Sequence, residues 1–356
     1  MIKRLFNRND NIAILIAGIF SIIIGLGVAR FAFTGLIPAM LDDYLTIKFV
    51  GILASLNFAG YLSGSIFSIF VKDINFKVYL YRFGIFLAIS TTFILAYSDN
   101  NTLWMIGRVL AGFAGAMCLI VGTSIVMQKL TIKSKTKAMG IHFSGIGFSI
   151  LTTDLLARFV LSLNYTWRDS WAVLAVFAII LSLYSVYILS FDKEVKQNAV
   201  KVKFDISIFT PFVIVLIIAY FTEGVGFVVQ ATFLPDIINN LKGLEGYGSL
   251  TWTLVGVAGI PSCIIWMLLA HRFGSSNIII IALLLQAVGI LIPAFSSNIY
   301  LNLLSGVLYG GTFIGLVALF MNLGGQLSRG NPVVLMGAMT SSYGIGQVIA
   351  PLYSVY

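Results

Sequence analysis

The stretch IAILIAGIFSIIIGLGVARFAFTGLIP, residues 12 to 38, is an apolar run long enough to cross a bilayer as a helix, and its only charge is Arg30. Lys3, Arg4 and Arg8 precede the run, as basic residues precede the apolar core of a secretory signal. The run is too long for such a core and contains a charge within it. We therefore expect a membrane span that stays in the mature protein.

Ten similar apolar runs follow the first, separated by short polar clusters. Each is close to the length that a tilted helix needs to cross the hydrocarbon. The pattern predicts an all-α integral membrane protein with eleven spans, at about residues 12–38, 49–71, 80–97, 103–128, 138–160, 169–190, 208–235, 251–270, 278–295, 300–325 and 333–353.

Composition excludes several other classes of protein. Apolar residues make up 59% of the 356 positions and charged residues 10%, less than half the share of a soluble domain. The runs lack the alternation of a β-barrel. Cys118 and Cys263 lie inside apolar runs, and two distant histidines cannot make a metal site. We expect no metal, cofactor, ATP-binding motif or enzyme active site.

The net charge of +9 follows from the loops rather than from a nucleic-acid surface. With the N-terminus in the cytoplasm, sixteen basic residues fall in cytoplasmic loops and four outside, namely Lys48, Arg158, Arg168 and Lys242. This bias predicts a multi-pass protein of the inner membrane with a cytoplasmic N-terminus. Lipid is then the chain's surroundings, and we expect a monomer that binds no nucleic acid.

An internal repeat relates the two halves of the chain. Gly25-x-Gly27 recurs as Gly224-x-Gly226, and Gly145-Ile146-Gly147 recurs as Gly344-Ile345-Gly346, both at an offset of 199 residues. At the same offset, Ala59-Gly60-x-x-Ser63 matches Ala258-Gly259-x-x-Ser262, and Gly107 and Gly112 match Gly306 and Gly311. At 198, Ser98-x-Asn100 recurs as Ser296-x-Asn298. The chain therefore contains two copies of one unit.

The repeat predicts the domain organisation. Residues 1–190 form a six-helix bundle, 191–207 a charged cytoplasmic linker, and 208–356 a second bundle with five helices. A complete second copy would contain a twelfth helix, so we expect a C-terminally truncated product of a longer parent.

Two like-oriented six-helix halves joined by a charged linker resemble the major facilitator superfamily, whose substrate site lies between the halves near the bilayer midplane. The run from Gly25 to Pro38, GLGVARFAFTGLIP, is similar to the first-helix signature of the YbfB-like branch. This resemblance implies a secondary active transporter.

Other superfamily motifs are preserved to different degrees. The fourth-span motif is present as Arg108-x-x-x-Gly112-x-x-Gly115, and the resemblance gives Arg108 a role in tuning proton binding. The loop motif after the second span is degenerate, and its counterpart after the eighth span has His271 where an acid is usual. The fifth-span antiporter motif lacks its proline, which weakens any inference of antiport.

Charges at membrane depth are functional candidates, because an unpaired charge there is costly. Glu223 lies near the middle of the seventh span, where a carboxyl group can take up and release a proton. Arg30 cannot be neutralised at its depth and must face water, a carboxylate or an anion. Since the first and seventh helices are equivalent in the repeat, we expect Arg30 and Glu223 to approach across a central cavity. Either charge can instead belong to a static salt bridge.

Further candidates have weaker support. Arg108 can also extend to the outer interface. Asp154 and Arg158 are four residues apart and can neutralise each other, and His142 lies one turn from the cytoplasmic end of its span. Uncharged polar residues that can line the cavity or bridge helices are Asn57, Tyr61, Gln230, Tyr343 and Gln347. Small residues such as Gly60 and Gly64 predict close helix packing. We interpret the aromatic residues mainly as lipid-facing or interfacial bulk.

These features predict proton-coupled secondary transport of a small organic solute by alternating access, and the resemblance favours export. Uptake of an organic anion is the alternative within transport. A non-transporting membrane sensor or scaffold with a transporter fold is the alternative from another class.

Overall fold

The computed structural model describes residues 4, 6–41, 43–71, 73–131, 135–190, 209–327 and 332–353, and within these ranges it contains helices and no strands. The helices are α1 Asn11–Leu41, α2 Ile47–Phe70, α3 Ile74–Tyr97, α4 Asn101–Lys129, α5 Lys135–Ser162, α6 Trp167–Ile188, α7 Pro211–Asn239, α8 Tyr247–Phe273, α9 Ser275–Phe295, α10 Ile299–Leu327 and α11 Pro332–Tyr353. Helices α1 to α10 are long and apolar enough to span a membrane, and α11 has 22 residues. The predicted all-α membrane fold is confirmed.

Polar caps explain where several helices begin. The carboxylate of Asp10 accepts a hydrogen bond from the main-chain N–H of Ile12 at the start of α1, and this bond lowers the pKa of Asp10. Asp73 caps α3 in the same way, with 2.7 Å between its Oδ2 and the nitrogen of Phe76. Helix α3 therefore begins six residues before the predicted start at residue 80.

The sequence repeat at an offset of 198 corresponds to a repeated helix cap. The side chain of Asn100 accepts hydrogen bonds from the first turn of α4, and Asn298 does the same at the start of α10. Ser98 and Ser296 accept from the main chains of these two asparagines. The two halves thus share a helix cap that the repeated Ser-x-Asn sequence forms.

Small residues allow equivalent helix pairs to cross closely in both halves. Helix α2 packs on α4, where a Cβ on Gly60 would lie 1.9 Å from the carbonyl oxygen of Val109. Helix α8 packs on α10, where a Cβ on Gly306 would lie 2.7 Å from the carbonyl oxygen of Thr251. Close packing at these positions confirms the purpose predicted for the small residues.

Buried apolar residues form two clusters. One is built almost entirely from α1 to α6, which we call the N-bundle. The other is built from α7 to α11, the C-bundle, and extends into the N-bundle through residues such as Leu26, Phe58 and Ile150. The predicted linker 191–207 lies outside the described residues, and the domain boundaries at 190 and 208 stay a prediction.

The two bundles contact each other along α5 and α8, along α2 and α11, and between α1 and α7. Hydrogen bonds cross between the bundles in the distal half, meaning the half away from the N-terminus of α1. Thr34 donates to the carbonyl oxygen of Ala231, Ser55 to that of Val348, and Thr253 to the carboxylate of Asp154. The distal half is therefore closed in this conformation.

Candidate functional site

Arg30 lies at the contact between the bundles, surrounded by aromatic rings. Its guanidinium carbon is 4.3 Å from the ring centre of Phe58 and 5.4 to 5.5 Å from those of Phe31, Tyr61 and Phe227. Three of these rings belong to the N-bundle, and Phe227 belongs to α7. The Nε and Nη2 of Arg30 are buried and have no hydrogen-bond partner among the described residues.

The rings around Arg30 stabilise its charge but leave two of its nitrogens unsatisfied. A cation over an aromatic face gains about 0.5–2 kcal/mol, and four rings lie 4.3 to 5.5 Å from this guanidinium, so their sum is comparable with the several kcal/mol that burying an ion costs. The Nε and Nη2, buried without a hydrogen-bond partner among the described residues, add a further cost. Arg30 is thus held in a state that a hydrogen-bonding anion would stabilise.

The local form of α1 places Arg30 at this position. Residues Ile23–Phe31 form a wider, π-helical stretch, a feature that often marks a functional site. A Cβ on Gly25 would lie 2.3 Å from the Cβ of Cys118 on α4. A Cβ on Gly27 would lie 3.0 Å from Ser149 on α5. The two glycines therefore let α1 pack deeply against both helices.

Arg108 on α4 is buried in the same region but is held by the main chain. Its Nη1 donates to the carbonyl oxygen of Ala29 over 3.1 Å, and its Nε donates to that of Leu53 over 3.4 Å. The guanidinium lies 4.2 Å from the ring centre of Phe33. With 2% of the residue exposed, Arg108 does not extend to the outer interface as one sequence interpretation allowed.

One narrow cavity joins the two arginines. It is lined by Arg30, Phe33, Thr34, Ala54, Asn57, Phe58, Arg108, Ala231 and Thr232. In this closed conformation it has room for about one water molecule. The wide central cavity expected from the sequence is not open here, because aromatic side chains fill the contact between the bundles.

Glu223 lies in the interior of the C-bundle, at the middle of α7. Its Oε1 accepts a long hydrogen bond of 3.4 Å from the side-chain nitrogen of Gln286 on α9, and its Oε2 is buried without a partner among the described residues. Only 5% of the residue is exposed. The phenol groups of Tyr220, Tyr309 and Tyr343 are close enough to interact electrostatically with it.

No ion pair joins Arg30 and Glu223 in the part of the chain that the structure describes. The offset of 199 aligns Arg30 with Val229, six residues beyond Glu223, or about 9 Å along a helix axis. The two charges therefore lie at different depths. Tyr309 and Tyr343 interact electrostatically with both. The expected approach of the two charges stays a prediction for another conformation.

Aromatic packing at the centre corrects part of the sequence interpretation. The ring of Tyr220 stacks between those of Phe320 and Tyr343, at centre distances of 4.3 and 4.5 Å. Phe227 contacts Tyr309 and Phe313 as well as the guanidinium of Arg30. These rings are buried. Apart from the cavity candidate Tyr343, they were expected among the lipid-facing or interfacial aromatic residues; they instead fill the interior of the C-bundle and its contact with the N-bundle.

The remaining polar candidates have different roles in the geometry. Gln230 bridges three helices, donating to the carbonyl oxygen of Gly289 and to the Oγ of Ser305. Asn57 donates to the carbonyl oxygen of Arg108, and Tyr61 contributes a ring near Arg30. Gln347 is buried on α11, with its Oε1 unpartnered among the described residues.

Asp154 and His142 lie away from this centre. Asp154 accepts from the hydroxyl of Thr253, and Arg158 donates to the same hydroxyl over 2.9 Å, so both are tied to α8. His142 is buried within the N-bundle, where its Nε2 is 2.9 Å from the hydroxyl of Thr123 and its Nδ1 has no described partner. The structure thus brings together Arg30, Arg108, Asn57 and Tyr61 but not Asp154 or His142.

Sequence reasoning identified Tyr61 but not Gln286, Thr253 or the phenylalanine rings around Arg30. Gln286 is an isolated polar residue in an apolar run, which marks it as a polar group at membrane depth. Phe58 lies in the sequence between the candidates Asn57 and Tyr61. Because Phe58 lies on the same helix as these two candidates, its ring could have been predicted to lie near the site.

The repeated halves and the contact between them are those of the major facilitator superfamily, a class of membrane transporters that are not enzymes. Residues 22–355 match the family described as the uncharacterised MFS-type transporter YbfB, and the chain belongs to this family. The resemblance predicted from the first helix is confirmed.

Solved structures show the same fold. The chain is similar to a mutant of the nucleoside transporter NupG, with a TM-score of 0.72 and 13% identity over 97% of this chain and 90% of that one. It is similar to a D-xylose–proton symporter, with a TM-score of 0.72 and 12% identity over 96% and 89%. It is also similar to a bacterial homologue of the human lysosomal transporter Spinster, in an inward-facing conformation, with a TM-score of 0.68 and 15% identity over 96% and 81%.

Proposed function

We propose that the protein moves a small organic solute across the membrane by alternating access, coupled to protons through Glu223. The observation that carries the proposal is the Glu223 carboxyl, which is buried with no basic partner among the described residues and one long bond from an amide. Its charged form bears the cost of an unpaired buried ion, whereas its protonated form does not.

A carboxyl group in this position can carry a proton between two access states. It binds the proton when water reaches it from one side of the membrane and releases it when the bundles rock and water enters from the other. Family membership supports secondary transport. One structurally similar protein is a proton symporter by name, which supports the coupling ion.

The proposal also includes the direction of transport and the membrane in which the protein lies. The excess of basic residues in alternate loops supports an inner-membrane location with the N-terminus in the cytoplasm. Export rests on the resemblance of the first helix to the YbfB-like branch alone. Uptake of an organic anion is the second candidate, and the unpaired guanidinium nitrogens of Arg30 favour it.

Proton coupling is tested with the purified chain in proteoliposomes that enclose a pH-sensitive dye. A thermal-melting screen against small metabolites and drugs first supplies a ligand. Adding this ligand should change the internal pH, and Glu223→Gln should abolish the change because an amide cannot release a proton. Glu245→Gln, in the exposed loop before α8, serves as the matched control and should behave like the parent.

A pH change of normal size in Glu223→Gln would remove Glu223 from the coupling mechanism. Solute movement without any proton movement in the parent would remove the coupling itself. Absence of both, with ligand binding intact, would support the sensor or scaffold alternative.

Orientation is tested with single cysteines at exposed positions on opposite faces. We expect a membrane-impermeant maleimide to label Lys242→Cys, in the loop between α7 and α8, on intact cells. Ser276→Cys, at the start of α9, should react only after permeabilisation. The reverse pattern would contradict a cytoplasmic N-terminus.

A further inference from the structure

We infer that the cavity between Arg30 and Arg108 binds the carboxylate of a small organic anion with an apolar body. The inference rests on the proposed transport function and adds the substrate class. Both arginines line the cavity, and its lining contains no aspartate or glutamate among the described residues. The site thus has two positive charges and no negative one there.

The two arginines have different roles in binding the carboxylate. Arg108 is fixed by the carbonyl oxygens of Ala29 and Leu53 and by the ring of Phe33. Arg30 is held by rings, and its Nε and Nη2 have no hydrogen-bond partner among the described residues. A guanidinium with coplanar N–H groups of this kind fits both oxygens of a carboxylate. Arg30 therefore supplies the hydrogen bonds to the bound carboxylate, and Arg108 supplies a positive charge at a fixed position.

Like charges in one cavity give a second reason for an anion. The charge of Arg30 is close enough to act on Arg108, which is buried where water screens little, as are the Nε and Nη2 of the partly buried Arg30. A bound carboxylate would attract both guanidinium groups at once and relieve their repulsion. A cationic ligand would add a third positive charge, and the geometry disfavours it.

The cavity lies where movement of the bundles would widen it. Ala231 and Thr232 belong to α7 of the C-bundle, and the other lining residues belong to the N-bundle. When the bundles part, α7 moves away from Arg30 and opens space for the carboxylate. The rings of Phe58 and Phe227, 6.5 Å apart between centres, then offer a surface for the apolar body of the ligand.

The test measures thermal melting of the purified full chain in detergent at constant ionic strength. The probes are acetate and benzoate, and the neutral amides acetamide and benzamide are their isosteric counterparts. Benzoate should raise the melting temperature more than acetate, because its ring packs on the aromatic surface, and the amides should have little effect. Arg30→Gln should weaken the apparent affinity for benzoate at least tenfold.

Two further variants separate a binding role from a folding role. Arg272→Gln changes an exposed arginine at the end of α8 and should bind benzoate like the parent. Arg30→Lys keeps the charge but not the planar pair of donors, and it should bind more weakly than the parent and more tightly than Arg30→Gln. This order is not expected if Arg30 only fills space.

The inference is overturned if neither carboxylate protects the protein, if the amides protect it as well as the acids, or if Arg30→Gln binds benzoate with parental affinity. Melting reports binding and not transport. A failure here therefore leaves the Glu223 proton measurement unaffected, and a failure of that measurement leaves anion binding in place.

Discussion

Two arginines that line one cavity are held by very different contacts. Arg108 donates to two main-chain carbonyl oxygens, whereas Arg30 lies among rings with N–H groups that have no partner among the described residues. Hydrogen bonds to a charged group contribute about 1.5–3 kcal/mol each. Arg108 therefore has a structural role in the closed protein, whereas Arg30 has N–H groups that can still donate hydrogen bonds to a ligand.

This difference predicts opposite effects of the same substitution. Arg30→Met should stabilise the ligand-free protein by about 1–3 kcal/mol, because it removes an unpaired buried charge and keeps apolar volume. Arg108→Met should destabilise it by about 1–3 kcal/mol through its lost hydrogen bonds. Thermal or denaturant unfolding in detergent measures both. A loss of stability in Arg30→Met would show that the rings alone hold Arg30 favourably.

The sequence identified these charges but not their surroundings. Arg30, Arg108 and Glu223 are conspicuous because so few charges lie within apolar runs. A buried ring is hard to single out in a chain where 13% of residues are aromatic, and a position beside polar candidates on the same helix, as for Phe58, is the signal that the sequence offers. The missing Arg30–Glu223 pair has a simpler cause, since the repeat offset already places the two at different depths.

At the scale of helices, the crossing of α2 and α4 positions Arg108 and Asn57. A Cβ on Gly112 would lie 1.9 Å from the carbonyl oxygen of Asn57. In the second half, a Cβ on the equivalent Gly311 would first meet the Cβ of Ala258, at 4.0 Å. The repeat keeps the same residue in both copies, but only one copy needs a glycine at this point.

Gly112→Ala should therefore force α2 and α4 apart and destabilise the protein by about 1–3 kcal/mol, as overpacking does. Gly311→Ala is the matched control and should change stability little. Unfolding curves of both variants in detergent provide the comparison. Equal effects of the two substitutions would contradict the difference in packing between the two crossings.

Helix positions were predictable because apolar runs and polar clusters alternate so clearly. Helix boundaries were less predictable: the third span was predicted to begin at residue 80, whereas Asp73 caps α3 and the helix begins at Ile74. The repeat predicted which elements are equivalent, and the asparagine caps of α4 and α10 show that it extends to single hydrogen bonds. How the bundles close on each other depends on side-chain packing across a contact that no local pattern describes.

For the whole molecule, the proposed function requires that the contact between the bundles opens on alternate sides. Within the described residues, the closed distal half is joined by few hydrogen bonds, including those of Thr34 and Thr253. Small residues on α5 and α8 pack closely, since a Cβ on Gly147 would lie 2.3 Å from the nitrogen of Ile260. Closely packed surfaces with few hydrogen bonds between them can separate and pack again with a small loss of free energy.

The most direct measurement of alternating access uses two pairs of spin labels at exposed positions. One pair, Tyr165→Cys with Lys242→Cys, spans the bundles at the distal face, and the other, Asn9→Cys with Ser276→Cys, spans them at the face of the N-terminus. Distances are measured by electron paramagnetic resonance with and without benzoate, at acidic and alkaline pH. The account predicts that one distance lengthens as the other shortens. Distances that stay constant in both pairs, or that lengthen together, would contradict it.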